Sequence, residues 1–171
     1  MFLYGNTFVF TNGDDAGFEG IELESRYNVN RNLTLHGLAT YQQSDDDTDV
    51  DDVSFSPNTM VKFGLSYQTD GGHSLAVFNS YFGEPADITQ HNPGVAQVNP
   101  DADAYHLLTL NTIFNLNRAL RKSGWPEMRL ELYVDNALDE EIYYPEFNRE
   151  NINAIPIYSG RAYYAAFNLA F

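Results

Sequence analysis

The stretch RAYYAAFNLAF, at residues 161–171, alternates between two kinds of side chain. Its apolar or aromatic set comprises Tyr163, Ala165, Phe167, Leu169 and Phe171. Between these stand smaller or more polar residues, namely Tyr164, Ala166, Asn168 and Ala170. Successive side chains of a β-strand point to opposite faces, so the alternation predicts a strand with one apolar face.

The same period of two recurs upstream, and helical periodicity is nearly absent. It is sharpest at 127–134, where Met128, Leu130, Leu132 and Val134 alternate with Glu127, Arg129, Glu131 and Tyr133. Further candidate strands lie at 18–27, 33–41, 58–68, 74–82 and 104–116, with an incomplete first strand at 2–11. The sequence therefore predicts an all-β chain of seven or eight strands.

The connections between these strands differ in length in a regular way. Three are tight, at 28–32, 69–72 and 118–126, whereas 44–57, 83–103 and 135–159 are long; 12–17 is a short exception. Asp70-Gly71-Gly72 is a strong hairpin signal, because glycine accepts positive φ. Tight and long connections in alternation predict an antiparallel up-and-down meander with one plain rim. Transmembrane β-barrels have this asymmetry, with short periplasmic turns and longer extracellular loops.

Composition excludes several classes of function. The chain has 24 acidic and 9 basic residues and a formal net charge of −15, which argues against a nucleic-acid partner. It has no cysteine, so disulfides and Cys-ligated zinc are excluded. No apolar run approaches the roughly 20 residues of a transmembrane helix. The start, MFLYGN, lacks the features of a signal peptide, so an exported protein would be a mature form or a fragment.

The segment LELYVDNALD, at 130–139, resembles the penultimate strand and following turn of TonB-dependent outer-membrane receptors. The family has an Asn-x-Leu-Asp motif there, matched by Asn136, Leu138 and Asp139, with aromatic residues soon after. It resumes with Gly-Arg, here Gly160-Arg161, and an alternating aromatic strand that ends the chain in Phe. The order and spacing of these motifs carry the resemblance, which spans nearly the whole chain.

The resemblance implies a barrel of about 22 strands whose lumen is blocked by a plug. Residues 1–171 are then expected to be the C-terminal portion of the barrel wall, with plug and signal peptide absent. The implied function is TonB-dependent uptake of a scarce ligand, such as a ferric siderophore, across the outer membrane of a Gram-negative bacterium. TonB would act through the missing N-terminal part.

The resemblance also assigns a role to the last strand. In outer-membrane proteins a final strand ending in Phe is recognised by the barrel-assembly machinery, and Tyr163, Phe167, Leu169 and Phe171 match that pattern. These residues would also face outer-membrane lipid. Tyrosines near strand ends are expected to form an aromatic girdle at the membrane interfaces, namely Tyr27, Tyr41, Tyr67, Tyr81, Tyr105 and Tyr163.

Candidate chemistry is sparse, and we expect neither catalytic activity nor a cofactor. The acidic loop 44–52 suggests calcium but lacks the Gly and distal Glu of an EF-hand, so a solvated loop is the preferred interpretation. The histidines at 36, 73, 91 and 106 lack zinc-site spacing. His36 and His106 are interpreted as polar lining, and 138–151 as an irregular segment with a helical turn. No Gly-x-Ser-x-Gly motif is present.

Two alternatives remain open on the sequence. A self-contained eight-stranded barrel, acting as a small porin or adhesion protein, would produce the same alternation. A soluble β-sandwich that binds ligand through its acidic loops would also alternate, with turns at similar spacing.

Overall fold

The computed structural model describes residues 2–4, 7–9, 16–46, 56–86, 90–91, 100–121, 124–144, 148–149 and 158–170. In chain order its elements are β1 (Phe2–Tyr4), β2 (Thr7–Val9), β3 (Ala16–Asn28), β4 (Leu33–Asp46), β5 (Thr59–Gln68), β6 (Ser74–Phe82), β7 (Gln90–His91), β8 (Tyr105–Asn115), α1 (Leu116–Ala119), β9 (Glu127–Asp135), β10 (Asn148–Arg149) and β11 (Ala162–Ala170).

Seven long strands form one antiparallel sheet in the order β3-β4-β5-β6-β8-β9-β11. Each strand pairs with its predecessor along the chain, apart from the two-residue β7 and β10, which pair with each other in parallel. The predicted antiparallel meander is therefore confirmed. The predicted strand at 74–82 has the observed bounds, and the others differ from the observed strands by a few residues at their ends.

Three details of the prediction differ from the described structure. The single incomplete strand expected at 2–11 is a short hairpin, in which β1 and β2 pair through Phe2–Val9 to Tyr4–Thr7. The connection after β8 is not a simple turn but begins with the helical turn α1, whose N-cap Asn115 accepts a hydrogen bond from the backbone N–H of Arg118. Conversely, the described part of 138–151 contains no helical turn.

Register alignment gives the sheet two different faces. One row across all seven strands consists of Tyr27, Leu35, Leu65, Val77, Leu110, Val134 and Tyr163. The neighbouring row, which points to the opposite side, consists of Asn28, Thr34, Ser66, Ala76, Asn111, Tyr133 and Tyr164. We call these sides the apolar face and the polar face.

The sheet has almost no core of its own. Among the described residues, Met128 and Ile142 are the only buried hydrophobic side chains. On the apolar face, large side chains such as Ile21 (71%) and Phe63 (57%) remain mostly exposed. An apolar surface of this extent must be covered, since soluble proteins rarely leave one open to water. The described residues form no second sheet that packs against it, so the fold does not support the sandwich alternative.

The two ends of the strands are built differently. At the short-turn end, polar side chains join three connections to one another. These are the turns at 29–32 and 69–73 and the connection between β8 and β9, which begins with α1. Asn32 donates its side-chain amide to the carbonyl of Gln68, and the backbone N–H of Asn115 donates to Nδ1 of His73 at 3.2 Å. Asn117 bridges its own connection, donating to the carbonyl of Pro126 and accepting from the N–H of Met128.

The opposite, long-loop end carries the described parts of 83–104 and 136–161. Within the described ranges no helix is long and apolar enough to cross a membrane. The edge strands β3 and β11 have no partner on their outer sides and do not pair with each other in the part of the chain that the structure describes.

Candidate ligand pocket at the long-loop end

Asn136 fixes the point where β9 gives way to the long loop. Its backbone adopts φ 46°, a left-handed conformation that Asn tolerates better than most residues, and its side chain is fully buried. The side-chain amide donates to the carbonyls of Glu140 (2.9 Å) and Ser159 (3.3 Å), while its oxygen accepts from the N–H of Glu140 (3.0 Å). One buried amide therefore joins the two ends of the loop.

Asp139 makes a second connection between the same two segments. Its backbone is also left-handed, at φ 59°, and its Oδ1 accepts from the N–H of Arg161 at 2.9 Å. The Arg161 guanidinium lies 3.8 Å from Oδ2. A Cβ at Gly160 would lie 3.2 Å from Asp139 Oδ1, so glycine leaves room for this close approach. The family-motif residues Asn136, Asp139, Gly160 and Arg161 are thus brought to one place.

Leu138, the remaining motif residue, lies apart from that cluster. It is half exposed and lines an apolar groove of about 550 Å³ together with Leu35, Phe63 and Leu108 of the apolar face.

On the loop's other side, Glu140 accepts a hydrogen bond from the backbone N–H of His106 at 2.9 Å. The N–H of Ala137 donates to the carbonyl of Leu108, so the loop continues the pairing of β8 beyond the end of β9.

A carboxylate with two phenols sits beside the motif on the polar face. Asp135 accepts hydrogen bonds from the hydroxyls of Tyr158 (2.6 Å) and Tyr133 (3.3 Å). The hydrogen bond to Asp135, with burial and the nearby charge, raises the pKa of Tyr158. Burial, followed by the charge of Asp135, also raises the pKa of Tyr144, whose ring meets that of Tyr158 edge-on at 6.4 Å. Both phenols are therefore neutral donors near pH 7.

Next to this cluster lies a cavity of about 280 Å³, which we call the aromatic pocket. It is lined by Ser56, Pro57, Met60, Phe82, Pro85, Asp103, Tyr105, Tyr143 and Tyr144. Met60, Phe82 and Tyr105 form one row of the polar face, and the rings of Phe82 and Tyr105 stack with centroids 4.8 Å apart. Tyr143 and Tyr144 come from the loop that Asn136 anchors. Such a pocket suits a small ligand with planar groups.

Several predicted residues lie where the sequence placed them. Tyr163, Phe167 and Leu169 share the apolar face and are largely exposed, whereas Phe171 lies outside the described residues. His36 is on the polar face, bonded to Ser66 at 3.0 Å. The acidic loop is described only as far as Asp46, and the described residues contain no cluster of His, Asp or Glu suited to a metal ion.

Two predicted orientations are wrong. Tyr105 was expected in the girdle, but its register with Phe82 puts it on the polar face, in the aromatic pocket. His106 was interpreted as polar lining, but it lies on the apolar face, where Nδ1 pairs with the Asn79 amide at 2.9 Å and the ring contacts Tyr81. Both errors arise because residues 105–115 carry apolar side chains on both faces, so the sequence pattern does not reveal which face is which.

The pocket itself was not predicted. Its members come from four separate parts of the chain, around residues 57–60, 82–85, 103–105 and 143–144. The only signal in the sequence was the pair Tyr143-Tyr144 that follows the Asn-x-Leu-Asp motif.

No protein-family model and no curated protein sequence matches the chain. Its fold, however, matches solved structures. The FpvAI–pyocin S2 complex gives a TM-score of 0.70 at 14% identity, covering 91% of this chain and 20% of that one. The ferripyoverdine receptor of the outer membrane of Pseudomonas aeruginosa gives 0.69 at 15% identity, with the same coverage. The chain therefore shares its fold with part of a receptor barrel wall.

The copper transporter OprC extends this likeness, with a TM-score of 0.66 at 19% identity over 92% of this chain and 24% of that chain. The seven-stranded meander thus corresponds to part of the wall of TonB-dependent outer-membrane receptors. The chain spans between about a fifth and a quarter of the length of the chains that it matches. In a receptor wall the apolar face meets lipid and the polar face meets the lumen.

Proposed function

We propose that this chain is part of the barrel wall, with its extracellular loops, of an outer-membrane receptor that takes up a scarce small molecule using energy relayed by TonB. The observation that carries the proposal is a single seven-stranded meander with an exposed apolar face and a polar face, in the arrangement of a receptor wall. Such a sheet has a stable environment when lipid covers the apolar side.

The orientation follows from the connections. Short turns of outer-membrane barrels face the periplasm and long loops face outward, so the long-loop end would be extracellular. The aromatic pocket then opens on the lumen side at the outer mouth, where an arriving ligand first meets the barrel. Residues 1–171 would be the C-terminal portion of the receptor. The plug, the signal peptide and the segment that engages TonB would belong to an N-terminal part outside this chain.

The ligand class that we test first is a ferric siderophore or another metal complex. One of the similar structures is described as bound to ferripyoverdine, and another is a copper transporter. In the proposed role no residue of this chain performs covalent chemistry. Tyr163, Phe167, Leu169 and Phe171 would serve recognition by the barrel-assembly machinery, which is supported by the common face of the first three.

Uptake of radioactive iron tests the proposal. The full-length gene is deleted in its host and restored, and iron-limited cells with and without functional TonB are offered a panel of iron-loaded siderophores. We expect at least one chelate to accumulate only when both the gene and TonB are intact. Accumulation that is equal without the gene, or independent of TonB for every chelate and for copper, would overturn the proposed function.

A substitution in the aromatic pocket tests whether uptake depends on this part of the chain. Phe82→Ala removes one ring of the stacked pair, and we expect uptake to fall about tenfold, since an aromatic pair with its buried area contributes on the order of 1–3 kcal/mol. Asp70→Asn, at the short-turn end, is the control and should leave uptake unchanged. Immunoblots of outer-membrane fractions check that both variants reach the membrane in equal amounts.

A further inference from the structure

The charge distribution around the aromatic pocket restricts what it can bind. Asp103 lies in the pocket wall, and Asp135 accepts a hydrogen bond from Tyr158, whose ring meets that of Tyr144 in the same wall. Among residues whose side chains the structure describes, no Lys or Arg lines the pocket. Asp135 is buried, whereas Asp103 is exposed at the pocket wall, and without a described base beside them these carboxylates favour cations and disfavour anions.

The nearest bases are directed elsewhere. Arg161 lies against Asp139, on the motif side of the loop. Lys62 is on the polar face two residues from Met60, but its ammonium lies over the ring of Phe78, 5.1 Å from the centroid. Phe78 is four residues from Phe82 on β6, toward the short-turn end, so the ammonium extends away from the pocket.

The remaining bases whose side chains the structure describes lie toward the short-turn end. Arg31, Arg118 and Arg121 belong to its turns, Arg26 lies near the end of β3, and Arg129 lies near the start of β9. The short-turn end also carries carboxylates at Asp70 and Glu127, but more of the described ones belong to the long-loop end, namely Asp45, Glu84, Asp101, Asp103, Glu140 and Glu141. The electrostatic field of these charges thus attracts cations toward the pocket.

The shape of the pocket restricts the ligand further. The rings of Phe82 and Tyr105 stack on each other with planes 21° apart, and together with two prolines and Met60 they give the pocket an apolar wall. A cavity of about 150 Å³ holds one benzene ring, so about 280 Å³ has room for about two rings. Aromatic faces attract cations through their quadrupole, and the effect increases when water is excluded.

We propose that the aromatic pocket selects a flat, two-ring group that is positively charged or neutral and rejects an anionic one. This inference rests on the proposed function only in treating the pocket as a ligand site. The inference differs from the ferric-siderophore class named above. Here the pocket would select its ligand through aromatic stacking and carboxylates rather than through Lys or Arg side chains.

Binding of three bicyclic probes to the full-length protein in detergent tests the inference. The probes are N-methylquinolinium as the cation, 2-naphthol as the neutral molecule and 2-naphthoate as the anion, measured by equilibrium dialysis. We expect the cation to bind about tenfold more tightly than the anion, with 2-naphthol between them. Equal binding of cation and anion, tighter binding of the anion, or no binding of any probe would overturn the inference.

Two carboxylate variants locate the effect. Asp103→Asn should reduce the cation-to-anion ratio about threefold without changing 2-naphthol binding, because it removes charge and preserves shape. Asp70→Asn removes the same charge at the other end and should leave all three affinities unchanged. If Asp103→Asn leaves the ratio intact, or Asp70→Asn lowers it equally, the pocket is not the source of the selectivity.

The two proposals can fail separately. TonB-dependent uptake that is lost in Phe82→Ala, together with a preference for 2-naphthoate, would retain the receptor function and reject the charge selectivity. A preference for the cation that depends on Asp103, without TonB-dependent uptake of any offered ligand, would reject the receptor function and retain the selectivity.

Discussion

The two ends of this sheet hold their connections in place by different means. At the short-turn end, polar side chains join neighbouring turns in the open, as in the ion pair of Arg31 with Asp70, where both side chains are at least three-quarters exposed. At the long-loop end, a fully buried Asn136 makes three hydrogen bonds, and Asp135 and Asp139 add more. A short turn is positioned by the strands that it joins. A long loop needs internal polar contacts if it is to hold a pocket wall in place.

Loss of the Asn136 side chain should have the largest effect on stability. Asn136→Ala leaves the carbonyls of Glu140 and Ser159 and the N–H of Glu140 without these partners, and it puts a less tolerant residue at φ 46°. We expect the free energy of unfolding to fall by about 3 kcal/mol in urea titrations of the full-length protein in lipid vesicles. Asn136→Gly is the matched control, since it keeps the backbone conformation and loses only the hydrogen bonds. A change below about 1 kcal/mol would mean that the two ends do not differ as described.

The Tyr158 hydrogen bond should have an intermediate, pH-dependent effect. Tyr158→Phe removes a 2.6 Å bond to a carboxylate, and we expect a loss of about 1.5 kcal/mol near pH 7. The pKa of Tyr158 is higher in the folded state, so its contribution is complete below the ordinary tyrosine value of about 10. It decreases as pH rises through the folded-state pKa.

An ultraviolet titration checks this assignment. The phenol of Tyr158 should ionise above the ordinary tyrosine range, and Asp135→Asn should move its pKa back toward that range, because the leading cause of the shift is removed. Tyr27→Phe, on the exposed apolar face, is the control. A native titration curve that Asp135→Asn leaves unchanged would contradict the role of Asp135.

Removal of the exposed ion pair at the short-turn end should have the smallest effect. Arg31→Ala breaks the 3.2 Å contact with Asp70, yet we expect less than about 0.5 kcal/mol in the same unfolding assay, because water and salt screen exposed pairs. Asn30 and Asn32 still hold the turn through their own hydrogen bonds. A loss of unfolding free energy as large as that of Asn136→Ala would contradict the difference between the two ends.

The sequence predicted the sheet well because the information is local. At 127–134 and 162–170 one face is apolar, so a period of two reveals both the strand and its orientation. The sequence pattern failed at Tyr105, because Leu107 and Ile113 place apolar side chains on the polar face of β8 as well. Only the register with β6 shows on which face Tyr105 lies. The Asn-x-Leu-Asp motif was recognised by resemblance. Its buried amide and left-handed backbone are visible only in three dimensions.

The aromatic pocket lay beyond sequence reasoning for a different physical reason. Met60, Phe82 and Tyr105 meet because three strands align in one register, and Tyr144 reaches them because Asn136 and Tyr158 direct the loop back over the polar face. None of these residues is unusual in its own segment. Their combination depends on pairing between positions that are far apart in the chain.

The connection from Asn136 to Arg161 also bears on how the barrel wall assembles. Closing a flexible loop of this length, rather than a turn of about four residues, costs on the order of 2 kcal/mol in chain entropy. The hydrogen bonds of Asn136 to Ser159 and of Asp139 to Arg161 form between the loop's two ends and offset that cost. They also set Ala162 opposite Asp135, the first pair of the β9–β11 ladder. We therefore expect the β9–β11 hairpin to form first at its loop and to extend from the Ala162–Asp135 pair toward the Ala170–Glu127 pair.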